Sequence, residues 1–171
     1  MTVKPIGNVP QRILMASQPE FVLVGVLMKQ HLSSAQTNDS FSLFENHSSG
    51  PSKTPIHVHA KDDETLFMMQ GEMRAIIAGK EQTIRAGESI FLPRGIPHQL
   101  MNESGLPAHY LLLCTPGGFE DFLVDCGHAL TEGEIPGPPS AADIDRLKAA
   151  APQYGITLFP DWAAARDHEE V

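Results

Sequence analysis

His57 and His59 stand two residues apart, Glu64 follows five positions later, and His98 comes directly after a Pro93-Arg-Gly-Ile-Pro97 turn. Three imidazoles and one carboxylate are a donor set that suits a divalent transition metal. On an extended strand His57 and His59 point to the same face, with Cα atoms about 6.6 Å apart. Converging imidazoles can bridge that gap to one ion at roughly 2.1 Å each. A lone histidine on an apolar strand is ordinarily a satisfied core or surface residue, and an H-x-H pair alone decides little more. The conjunction with Glu64 and His98 is what carries the metal reading. His31, His47, His109, His128 and His168 lack such company and read as ordinary histidines, and Asp62 and Asp63 read as solvated turn residues.

Positioning four such groups takes short strands and tight turns, and the chain has that pattern. Residues 21–28 predict one buried strand, 31–39 a polar turn, 41–44 a further strand and 47–53 a loop. Strands follow at 56–60, 65–70, 72–78, 80–85, 89–92, 98–101 and 108–114, with turn chemistry at Lys61-Asp-Asp63, Gly79 and Pro93-Arg-Gly95. Many short strands at this spacing predict an all-β sandwich or barrel. If Glu64 faces inward, strand parity turns Leu66 and Met68 inward too, beside the metal, and Leu100 joins them from the strand of His98.

Beyond Pro116-Gly-Gly118 the period changes. Phe119, Phe122, Leu123 and Cys126 recur at helical spacing and predict a helix over 119–129 against the barrel. A Pro/Gly linker spans 132–139. Ser140, with Asp143 three residues on, signals an N-cap and a helix through Ala150 that ends at Pro152. Residues 156–159 suggest a last short strand, and 161 onward a terminal helix. The expectation is a single domain: an irregular arm over 1–19, the barrel over 20–116, and helices and tail packing on it over 117–171.

Bulk properties narrow the function classes. A chain of 171 residues with 42% hydrophobic content has material for a sizeable core. Its formal charge of −9, from 12 Lys and Arg against 21 Asp and Glu, argues against a nucleic-acid partner. The early apolar run at 21–28 is too short to span a membrane and lacks a cleavage site, so a cytoplasmic location is expected. Cys114 and Cys126 are the only cysteines and read as idle thiols of a reducing compartment, with a disulfide between them as the alternative.

The two motifs together resemble the cupin superfamily, whose signatures are G(X)5HXH(X)3–4E(X)6G and G(X)5PXG(X)2H(X)3N. Here the first matches from His57 through His59 and Glu64 to Gly71, with Gly50 offset by one position. The second matches throughout, as Gly87, Pro93, Gly95, His98 and Asn102. The family spacing admits Asp63 or Glu64 as the acid, and only Glu64 has six residues between it and Gly71. The segment from Pro107 to Phe122 is similar to the strand-then-helix portion of single-domain cupins of the quercetin 2,3-dioxygenase-like group.

The resemblance implies a cupin fold, a double-stranded β-helix or jelly-roll barrel with a C-terminal helical extension. It implies one divalent ion (Ni, Mn, Fe, Co, Cu or Zn) on His57, His59, Glu64 and His98, and a homodimer. It also implies an enzyme, a metal-dependent dioxygenase in which Glu64 takes the proton of a flavonol or similar enolic substrate that then meets O2. Leu66, Met68, Leu100, Phe119 and Phe122 would line the pocket for such a planar molecule. Two alternatives stand beside it: a non-redox isomerase or lyase on a small hydroxy-carbonyl compound, and a cupin that binds a small ligand without catalysis. A thiol dioxygenase is disfavoured, because that subgroup usually lacks the carboxylate.

Overall fold

The structure, a computed structural model, describes residues 18–166. The expected arm over 1–19 therefore falls almost wholly outside the described residues, as does His168. Among the described residues, thirteen strands run in two antiparallel sheets: β1 (Glu20–Leu23), β2 (Val26–Leu32), β3 (Ser42–Ser48), β4 (Ser52–Lys53), β5 (Ile56–His59), β6 (Asp63–Gln70), β7 (Glu72–Ile77), β8 (Lys80–Arg85), β9 (Ser89–Leu92), β10 (His98–Asn102), β11 (Ala108–Thr115), β12 (His128–Ala129) and β13 (Ile156–Phe159). One sheet has the order β12-β1-β2-β3-β11-β6-β9, and the other β13-β5-β10-β7-β8, with β4 beside β10.

Period-2 alternation decides which side chains meet between the sheets. On β3 the inward set is Ser42, Phe44, Asn46 and Ser48, and on β11 it is Ala108, Tyr110, Leu112 and Cys114. Phe44, Leu66 and Met68 are wholly buried in the central cluster. Cys114 and Cys126 are buried free thiols, so the disulfide alternative is excluded.

Helices cover one end. Gly118 precedes α2 (Phe119–Cys126), which buries Glu120, Phe122, Leu123 and Cys126 and exposes Val124. The Glu120 carboxylate accepts from Ser34 N at 2.6 Å, Ser34 Oγ at 2.5 Å and Ser42 Oγ. Those bonds fasten the start of α2 to β3 and to α1 (Ser34–Thr37). Burial raises the Glu120 pKa, but the serine donors outweigh it and hold the carboxyl below its usual range. The later helix α3 (Ala141–Ala150) opens with the expected Ser140–Asp143 capping box. After a 3-10 turn, β13 is followed by α4 (Trp162–Arg166). No helix among the described residues is long and apolar enough to cross a membrane.

Several segments depart from the sequence expectation. Residues 21–28 are a hairpin, because Val24 and Gly25 both take positive φ and reverse the chain between β1 and β2. Glycine is needed there, since a Cβ at Gly25 would lie 2.6 Å from Gly137 O. The expected helix over 119–129 stops at Cys126, and His128–Ala129 pair with β1 instead. The C-terminal segment does more than pack on the barrel. Strand β13 pairs along β5, setting Leu158 opposite His57 and Ile156 opposite His59.

Candidate metal centre

The two sheets bring the four residues of the sequence motifs together. His57 and His59 come from β5, and His98 from β10, where it sits directly opposite His57. Glu64 comes from β6 in the other sheet, so the cluster bridges the barrel. One ligand atom from each of the four lies within 4.8 Å of the others, which makes them a candidate metal-binding group. His98 and His59 are 1% and 3% exposed and Glu64 is 5% exposed, so bulk water solvates little of this cluster.

Hydrogen bonds around the imidazoles fix their orientation. His57 Nδ1 lies 2.8 Å from Pro55 O, and His98 Nδ1 lies 3.0 Å from Ile96 O. A carbonyl only accepts, so both Nδ1 atoms carry the proton and both Nε2 atoms of the neutral rings present lone pairs. His59 Nδ1 likewise donates to Asp62 Oδ2 at 2.8 Å. The freed nitrogens face Glu64: His98 Nε2 is 3.0 Å and His59 Nε2 is 3.7 Å from Glu64 Oε2. Two acceptors at such distances need a positive charge between them, a proton or a metal cation. Orienting partners on the far side of metal-binding imidazoles are the usual arrangement, and the donor set fits a divalent ion.

The electrostatics point the same way. Burial would raise the Glu64 pKa, but His59, His98 and His57 outweigh it and hold the carboxyl well below its usual range. Burial, together with the neighbouring His98 and His59 rings, pushes His57 down to about 3. Burial would also lower His59, but the carboxylates of Glu64 and Asp62 carry it upward.

Turns around the cluster explain the other motif residues. Gly95, at φ +78°, donates its N–H to His59 O at 2.8 Å and so ties the turn before His98 to the H-x-H strand. Asp63 accepts from Arg94 N, Nε and Nη2 at 2.8, 3.1 and 2.8 Å, which rivets the same turn to the strand of Glu64. Asn102 Nδ2 donates to Ser48 Oγ and Leu106 O. Asp62 and Asp63 are therefore not the solvated turn residues expected from sequence. Replacing Asp62 by Asn keeps the shape but weakens the acceptor behind His59, so metal affinity at this centre is expected to fall roughly 10- to 100-fold. Competitive metal titration against a chromophoric chelator measures it, and an unchanged affinity would remove Asp62 from the centre.

A cavity of about 90 Å³ opens on His57, His59 and Glu64. Leu100, Phe119 and Phe122 line it, whereas Leu66 and Met68 are packed in the core and are absent from the lining. The Phe119 ring lies 5.9 Å from the His59 ring and 5.4 Å from that of Phe122. Sequence reasoning missed Leu147, Ile156 and Leu158, which the C-terminal segment adds to the wall, and the polar pair Asn46 and Tyr110. Asn46 is 2% exposed, and its Oδ1 has no hydrogen-bond partner. Burial pushes the Tyr110 hydroxyl up to about 12, against the pull of a hydrogen bond with Asn46. An orphaned buried acceptor on a cavity wall calls for a donor from a ligand or water.

Comparisons with known proteins agree with this architecture. Residues 45–114 match the family model of the cupin domain. Among curated proteins, the tetracenomycin polyketide synthase protein TcmJ of Streptomyces glaucescens is 28% identical over 85 residues, 50% of this chain and 54% of that protein. The chain thus spans about half the length of that relative. The polyketide cyclase RemF from Streptomyces resistomycificus superposes with a TM-score of 0.55 at 19% identity, over 75% of this chain and 90% of RemF. KdgF from Halomonas sp. superposes with a TM-score of 0.57 at 12% identity, over 66% of this chain and 99% of KdgF. A sugar phosphate isomerase from Silicibacter pomeroyi gives 0.54 at 18% identity, over 61% of this chain and 75% of that one. Two packed antiparallel sheets, the motif residues at their junction and the superpositions give the chain the cupin fold, and residues 45–114 match the cupin domain model.

Proposed function

We propose that the protein is a metal-dependent enzyme for small, enolisable, oxygen-rich aromatic or polyketide-like molecules, and that its first chemical step is removal of a proton by Glu64. The supporting observation is a four-donor cluster at the base of a mostly apolar cavity, with one unpartnered acceptor, Asn46 Oδ1, on the wall. A bound divalent ion would supply Lewis-acid stabilisation of a carbonyl or enolate oxygen. His57, His59, Glu64 and His98 would hold it.

The chain's own residues do the remainder. The apolar wall, with the Phe119 ring 5.9 Å from that of His59, receives a planar ring and excludes water from the reacting end. Asn46 Oδ1 accepts from a substrate hydroxyl and sets which edge of the ring faces Glu64. A Glu64 oxygen then takes the proton from an enolic hydroxyl, or from carbon beside a carbonyl. The cavity is narrow, so a multi-ring substrate inserts its reacting end and leaves the rest outside.

The resulting enolate has two fates. Attack on a second carbonyl closes a ring without redox change, a reading supported by the polyketide-related names of TcmJ and RemF. Attack on O2 is the dioxygenase reading, supported by a carboxylate base beside the three histidines under an aromatic wall. Turnover of polycarbonyl and flavonol substrates by metal-loaded protein, with oxygen uptake recorded, separates the two. No product from either class, with any of Ni, Mn, Fe, Co, Cu or Zn, would sink the proposal.

Asn46→Leu tests the orienting role. It removes the unpaired acceptor together with the hydrogen bond to the buried Tyr110 hydroxyl, so a stability loss of about 1–3 kcal/mol is expected alongside. KM for a hydroxylated substrate should rise roughly tenfold or more, the value of one hydrogen bond in a dry site. A substrate lacking that hydroxyl should be unaffected. Equal effects on both would refute the assignment.

A further inference from the structure

The outer face of the seven-stranded sheet carries a second cluster of imidazoles around one carboxylate. His47 on β3 and His109 on β11 are directly opposite across the antiparallel pair, and Glu45 is on the same face of β3 two residues before His47. The two rings stack with centroids 4.1 Å apart and planes 16° from parallel. Both present Nε2 to a single oxygen, Glu45 Oε1, at 3.2 Å from His47 and 2.7 Å from His109. The β2–β3 register slips around His31, and its Nε2 reaches the other carboxylate oxygen, Oε2, at 2.7 Å.

We propose that Glu45, His47 and His109 form a second divalent transition-metal site, open to solvent and separate from the centre inside the barrel, with His31 orienting the carboxylate. The three donor atoms lie within 4.8 Å of one another. Ligands around a tetrahedral ion at roughly 2.1 Å stand about 3.4 Å apart, so modest side-chain rotations close the site. Two nitrogens and one oxygen select zinc, nickel or copper over calcium or magnesium. To bind the ion through Nε2, each neutral ring takes the tautomer with its single proton on Nδ1. No Nδ1 hydrogen bond among the described residues locks these rings in the other tautomer, so that shift is open to both.

His31, Glu45 and His109 have side chains 22–24% exposed, and that of His47 is 45% exposed. That is dry enough to hold geometry and open enough to admit an ion with its remaining waters. Without metal the same residues form a hydrogen-bonded group centred on Glu45. Burial opposes the charge, but bonds from His31 and His109 carry the Glu45 carboxyl down to about 2.

The test is titration of the untagged, metal-stripped full chain with Zn(II) and Co(II), reading stoichiometry by calorimetry and cobalt absorption. The wild type should take up two equivalents. His109→Ala and, separately, His47→Ala should each weaken one equivalent at least about tenfold, and His57→Ala should affect the other. These outer-face side chains lie outside the core, so circular dichroism should be unchanged. Bound equivalents in the wild type that all survive both outer-face substitutions would overturn the proposal, whereas loss of only the equivalent sensitive to His57→Ala would count against the barrel centre alone.

Discussion

Glu64→Gln is expected to lower turnover of an enolisable substrate by about two to four orders of magnitude, the range for loss of a positioned general base. The fold should survive. Glutamine fills the same volume, and its amide can donate to His98 Nε2 across the 3.0 Å that now separates that nitrogen from Glu64 Oε2. The lone pair on His98 Nε2, fixed by the Nδ1 contact to Ile96 O, thus gains a partner in the variant. Metal affinity should also fall, so the rate must be measured at saturating metal with occupancy verified. A fully loaded variant that stays within about threefold of the wild-type rate would rule out Glu64 as the base. A variant whose rate returns with added metal would reduce Glu64 to a ligand.

Much of the centre is legible in the sequence because its signals are local. One residue between His57 and His59, six between Glu64 and Gly71, and three between His98 and Asn102 are spacings along one chain. Each follows from strand parity or a tight turn. The bounds of β9 agree with the sequence expectation for the same reason, since Pro93 stops a strand wherever the rest of the chain goes. The residues that sequence misses depend on long-range register. His47 reads as an ordinary histidine until β11 lays His109 across from it. Asn46 is one polar residue in an inward row that also contains Ser42 and Ser48, so hydropathy gives no hint that it faces a cavity. Charged turns usually face water, and only the observed turn shows Asp62 behind His59. In the hairpin at 20–32, an apolar run masks a turn that Gly25 alone signals.

Gly71→Ala should give the largest loss of stability of any single-methyl change at the motif positions. Gly71 joins β6 to β7 with φ at +80°, and an added Cβ would stand 2.5 Å from Pro107 O and 3.1 Å from Ala108 Cα. Both obstacles are backbone at the start of β11, so no side chain can rotate aside. The left-handed conformation costs about 1–2 kcal/mol for an alanine, and displacing the packed neighbour about 1–3 kcal/mol more. A loss of about 2–5 kcal/mol follows, measurable by denaturant unfolding. Gly79 provides the control: its φ is +72°, but a Cβ added there would meet nothing within 4 Å. Gly79→Ala should therefore cost only the conformational part. If the two variants lose equal stability, the approach of Pro107 is not what demands glycine at 71. If Gly71→Ala alone loses the larger amount while still binding metal, the glycine that closes the first motif serves strand docking, and the donors act independently of it.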